Sequence, residues 1–177
     1  MQRRASYPWL VALLVSLMFL AAASPASAAP CSNPDLMPST SNVSKIRSAV
    51  RCLLNRERTL RAITELKPKR TLMKAAQKHG DSMVRRRFFG HVAPSGSTPQ
   101  RRIRASGYVG DYLGENLAWG SGVNATPRQT VVNWMKSSGH RRNILDPEFR
   151  YGGIGVAVGE PQGGPGATYA TTFGGRP

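Results

Sequence analysis

From Ser44 onward the apolar residues Ile46, Ala49, Val50, Leu53 and Leu54 recur at the i, i+3, i+4, i+7, i+8 spacing of one helix face. The spacing predicts an amphipathic helix with Ser44 as its N-cap. A loop ending at Pro68 leads to a second helix over about Lys69–Arg86, with Leu72, Ala75, Ala76, His79 and Met83 on one side. His79 lies inside that apolar stripe, so a hydrogen-bonded core histidine is expected there rather than a ligand. Thr98-Pro99 and Thr126-Pro127 each set a capping hydroxyl before a proline at the first helical position. The first pair opens a short helix ending near Gly107. The second opens a longer one, Pro127 to about Ser138, that buries Val131, Trp134 and Met135. Trp119 is expected in the core alongside Trp134. The period then changes from helical to alternating, and Ile154–Val158 and Thr168–Phe173 read as two strands joined by a Gly/Pro-rich loop. Gly152, Gly153, Gly155 and Gly159 lie in or directly beside the first of these with no helix after them, which excludes a dinucleotide-binding loop. Helices followed by a strand pair predict an α+β domain with helices packed on a sheet.

The start of the chain follows a different rule. Arg3 and Arg4 precede Trp9–Ala23, a 15-residue apolar run, and Ala26-Ser27-Ala28 supplies a small-x-small cleavage pattern. The run is shorter than the ~20 apolar residues of a membrane-spanning helix. Residues 1–28 therefore read as a signal peptide, with an uncleaved anchor as the alternative. Residues 29–42, rich in Pro, Ser and Asn, read as an N-terminal arm, and 43–177 as one domain. A secreted, extracellular protein is the expectation. Export changes the reading of Cys31 and Cys52, since an even pair in an oxidising compartment predicts a disulfide tying the arm to the first helix. The alternative is a buried free thiol at Cys52 with Cys31 on a loose arm.

Formal net charge is +16, and it is unevenly spread: residues 45–104 hold 17 basic and 3 acidic side chains, 105–177 only 6 and 5. A basic half beside a nearly neutral one fits adhesion to an anionic cell-wall or membrane surface, or simply a well-solvated face. Arg85-Arg86-Arg87 and Arg101-Arg102-Ile103-Arg104 lack interleaved aromatics for base stacking, so no specific nucleic-acid partner is expected.

Three stretches carry the candidate chemistry: Phe89-Gly90-His91, Gly114 through Gly120 (GENLAWG) and Trp134 through Asn143 (WMKSSGHRRN). Each sets a His or Glu beside glycines, where a side chain can project from a turn into a cleft. Two imidazoles and a carboxylate suit an open metal site or an acid/base cleft. Together with the Leu54–Arg58 and Leu72–Met83 helices and the closing strands, the order of these motifs resembles the CAP superfamily, or SCP domain, in its short bacterial form, over about residues 43–174. GENLA followed by W-M-x-S-x-G-H-R-x-N-I-L is the specific part of the match.

The resemblance implies a three-layer α-β-α sandwich with a central, mainly antiparallel sheet and a cleft on one side. Family clefts carry two histidines and two glutamates. His91, Glu115 and His140 fall on three of those positions, and Ser137 stands where the second glutamate would be. With one carboxylate instead of two, His91, Glu115 and His140 suit a borderline cation such as Zn2+, with water completing the shell, better than calcium. A purely structural set is the competing reading, with Glu115 bonded to backbone amides and His140 capping a helix. The expected function is a non-enzymatic extracellular binding module. A hydrolase using Ser137 or Ser138 with a histidine and Glu115 is the alternative, though no G-x-S-x-G elbow is present. Lipid or sterol binding is implied by relatives alone.

Overall fold

In the computed structural model, which describes residue 2 and residues 30–176, helix α1 (Val43–Thr59) buries all five residues of the first apolar stripe. The proposed signal peptide falls, apart from residue 2, outside the described residues. Helix α1 starts one residue before the expected cap: Asn42 takes the cap position, and its Oδ1 accepts from the Ser39 amide instead of from the helix. A two-residue strand β1 (Lys67–Pro68) precedes α2 (Arg70–Arg85). Next come α3 (Pro99–Ala105), β2 (Leu113–Gly120), a short 3-10 turn (Gly122–Ala125), α4 (Pro127–Lys136), α5 (Ser138–Leu145), β3 (Tyr151–Val158) and β4 (Ala167–Gly174). Both threonine caps form, Thr98 accepting from the Arg101 amide and Thr126 from that of Gln129.

The sheet runs β1-β3-β4-β2; β3 and β2 each pair antiparallel with β4, and β1 pairs parallel with β3. Alternation along the strands separates two faces. Ile154, Val156, Tyr169 and Phe173 point into a core shared with Ile46, Val50 and Leu54 of α1, Trp134 of α4 and Ile144 of α5. On the opposite face Leu117 and Ala170 meet Ala76 and Met83 of α2, while Leu72 and Ala75 pack with Ile103 of α3 and Tyr108. This is the three-layer α-β-α sandwich. Each fully buried large side chain contributes roughly 1.5–3 kcal/mol to it.

Two close approaches define the α2 layer. A side chain at Gly153 would fall on the backbone of Leu72 and Met73, and one at Gly155 on that of Ala76 and Gln77. Glycines at these points let α2 sit directly on β3. On the other layer Arg58, fully buried, donates to four carbonyls: Thr64 at 2.8 Å, Ile144 at 2.7 Å, Asp146 at 2.9 Å and Phe149 at 2.8 Å. It thus fastens the end of α1 to the segment leaving α5. Burial holds its pKa below the usual guanidinium range, with Arg150 adding to the effect and Asp146 opposing it.

Cys31 and Cys52 are joined, Cα atoms 5.7 Å apart, and pin the arm to α1. Among the described residues no helix is long and apolar enough to cross a membrane.

Candidate functional site

Glu115 is not in a turn. It sits in β2, which pairs along its whole length with β4 and forms the outer strand on that side of the sheet. Since successive side chains alternate, Glu115 points to the α2–α3 face and Asn116 to the α5 face. The two halves of the site therefore come to β2 from its two faces, and because β2 is an outer strand its free edge is where they can meet.

On the first face Glu115 is almost fully enclosed, its side chain 2% exposed. Its carboxylate receives the Nη2 of Arg102 at 3.0 Å on Oε1 and 2.8 Å on Oε2, and His91 Nδ1 at 2.9 Å on Oε1. Arg102 comes from α3 and also donates to the Ser97 carbonyl at 2.7 Å. Because the carboxylate beside Arg102 is an acceptor, the proton lies on His91 Nδ1. His91 Nε2 is the ring nitrogen that Glu115 leaves unengaged, on a side chain that is 52% exposed. Glu115 thus bonds to an arginine and a histidine, not to the backbone amides of a turn.

His79, 1% exposed, sits behind this pair. Its Nε2 donates to the Gly90 carbonyl at 2.9 Å, holding the loop that presents His91. Burial, the largest influence, lowers the pKa of His79.

On the other face Asn116 donates to the His140 carbonyl at 2.9 Å, and Asn143 donates to Asn116 Oδ1 at 2.8 Å and to the Glu115 carbonyl at 3.2 Å. These bonds lock the first turn and a half of α5 onto β2. His140 occupies that first turn, half-buried beside Trp134 at 6.5 Å between ring centroids. Burial first, and the charge of His91 second, hold the His140 pKa below that of an ordinary imidazole.

The WMKSSGHRRN stretch breaks at Ser137, whose extended φ of −84° and ψ of 123° separate α4 from α5. Neither the Ser137 nor the Ser138 hydroxyl bonds to a histidine among the described residues. No three histidine, cysteine, aspartate or glutamate side chains among them are grouped so as to hold a metal ion. Trp119, expected in the core, is 42% exposed near the end of the outer strand, while Trp134 is buried and donates to the Leu117 carbonyl at 3.0 Å. Arg102 escaped the sequence reading. Its place in a basic run and its 13-residue distance from Glu115 gave no sign of pairing.

Residues 52–172 match the family model described as the cysteine-rich secretory protein family. The chain belongs to this family, the CAP superfamily. A CAP relative, the uncharacterised protein YkwD of Bacillus subtilis, is 35% identical over 115 residues, covering 65% of this chain and 44% of that one. An extracellular SCP-domain protein of Bacillus anthracis superposes with a TM-score of 0.66 at 21% identity, covering 78% of this chain and 44% of the other. An outer surface protein of Borrelia burgdorferi gives 0.65 at 20% identity, over 80% of this chain and 98% of that one. This chain thus spans less than half the length of the two Bacillus relatives, and at these identities the two structures establish the CAP fold alone.

Proposed function

We propose that this CAP protein is a secreted, non-enzymatic binding module whose cleft takes a divalent cation between His91 and His140. The observation that carries the reading is the 2.9 Å contact between His91 Nδ1 and Glu115. A carboxylate behind a histidine fixes its tautomer and ring orientation and makes the opposite nitrogen a better ligand. Glu115 would act from behind His91, since its two oxygens are already engaged by Arg102 and His91. Two imidazole nitrogens suit a borderline cation such as Zn2+ and serve calcium poorly. The lowered pKa of His140 supports the same reading, because it keeps that ring neutral, as a ligand must be, further into acid.

Isothermal titration of zinc into tag-free protein tests this. Wild type is expected to take up one equivalent, and His91→Ala and His140→Ala each to abolish uptake. Glu115→Gln should weaken it about 10- to 100-fold, with circular dichroism confirming that the fold is kept. Wild-type protein that takes up no zinc overturns the cation reading.

A further inference from the structure

We infer that the groove between α2 and α3 is a second binding site, for a linear phosphate-bearing polyanion. This inference goes beyond the cleft reading and is independent of it.

Two hollows of about 430 and 420 Å³ adjoin along this face and share Lys78, Ser95, Ser97 and Arg102. Lys74, Lys78 and Arg85 fall within a narrow sector of α2, at 100° per residue, and extend along roughly 16 Å of helix at 1.5 Å per residue. Arg86, Arg101 and Arg102 complete the lining cations. Of these six, only Arg102 makes an ion pair among the described residues. An ordinary solvated surface intersperses both signs, whereas five unpaired cations here converge on one groove. One carboxylate, Asp81, also lines it, and Gln77 Nε2 donates to that group at 2.7 Å.

One polar atom in the lining independently calls for an anion. Arg102 has its Nη groups committed to Glu115 and Ser97, yet its Nε is buried with no partner. Buried polar groups are normally satisfied, and each orphan costs about 1–3 kcal/mol. A phosphate oxygen would satisfy the Arg102 donor with a charge-assisted bond.

Length and lining select the class of ligand. Cations spread over roughly 16 Å exceed the reach of one phosphate and suit a repeating chain. Among the described residues the sole aromatic ring lining either hollow is that of His79, 1% exposed, so bases would find no open face to stack on and the backbone charge alone would be read. Apart from His79 the uncharged lining is serine and alanine, which leaves no apolar slot for an acyl chain.

The test is binding of a short inorganic polyphosphate, followed by isothermal titration over a salt series. Lys74→Glu with Lys78→Glu is expected to weaken binding about tenfold or more and to lower the salt slope by about two. Lys45→Glu with Lys136→Glu makes the same net charge change on α1 and α4 and is expected to lower affinity less than about threefold, through the long-range field alone. All four side chains are exposed, so both variants should keep the fold, as circular dichroism would verify. The Arg102 Nε–H resonance should shift on adding polyphosphate to the wild type. Equal losses in the two variants, absence of binding at low salt, or an unmoved Arg102 resonance overturns the proposal. Binding of phosphatidylglycerol vesicles without polyphosphate, or tighter binding of single-stranded DNA per phosphate, would also overturn it, in favour of a membrane or a nucleic acid.

Discussion

A buried imidazole is a pH-dependent element even when it never meets a ligand. His79 donates from Nε2 to the Gly90 carbonyl, and burial lowers its pKa from the ordinary 6.5. Unfolded, the ring takes up a proton near 6.5; folded, it resists until lower pH. Its contribution to stability is therefore complete above pH 6.5 and is lost as pH falls through the folded value. His79→Gln keeps a donor for Gly90 but does not titrate. Urea unfolding of both proteins between pH 7.5 and 5.5 should show the stability advantage of the wild type shrinking on acidification. A pH-independent difference would mean that His79 does not titrate on unfolding. The same scale shows what one side chain reveals in advance. His79 was legible as a core histidine because it falls in the apolar stripe of α2. Arg58 follows Leu54 by one helical turn on the stripe of α1 and could have been found by the same rule, since a cation on an apolar face must find acceptors.

At the scale of elements, legibility followed periodicity. Helices α1 to α4 and strands β3 and β4 were visible because one face of each is apolar and threonine-proline pairs mark the starts of α3 and α4. Strand β2 was hidden: its glycines suggested a turn, while its pairing with β4 is a non-local property. The end of α4 was legible to within two residues, but helix α5 beyond it was hidden, because the short SGHRRNIL run carries no clear apolar stripe. His91, Glu115 and His140 were found through resemblance, since no spacing rule links a loop, a strand and a helix start. The glycines of β3, excluded from a nucleotide-binding role, now have a positive one in helix–sheet contact. Gly155→Ala would push a methyl into the α2 backbone and should cost about 3 kcal/mol or more, at the upper end of overpacking effects. Gly139→Ala, in α5 with nothing within 4 Å, should instead stabilise by up to about 1 kcal/mol. Denaturant midpoints of the two variants moving in the same direction would contradict this account of the strand.

Across the whole molecule, the N-terminal arm is an addition to the sandwich, and the strength of its attachment can be apportioned. Arg128 donates to both oxygens of Asp35, at 2.7 and 2.9 Å, and its amide bonds to the Pro34 carbonyl at 2.8 Å. The Arg128–Asp35 pair is solvent-exposed and screened by water and salt, so it contributes little. Leu36 adds a partly buried contact with the core. The Cys31–Cys52 bond, across 21 residues, removes loop-closure freedom from the unfolded chain worth about 3 kcal/mol. It therefore dominates the attachment. The Cys31→Ser, Cys52→Ser double variant should lose about 3 kcal/mol in equilibrium unfolding and become sensitive to proteolysis within residues 32–42. Adding reductant to the wild type should reproduce both effects. No described arm residue lines the two hollows of the α2–α3 groove, and none bonds to His91 or Glu115, so zinc and polyphosphate titrations of the double variant should match those of the wild type below its unfolding range. Loss of either binding event with the fold intact would show that the arm, through α1 and α4, also sets the position of β2.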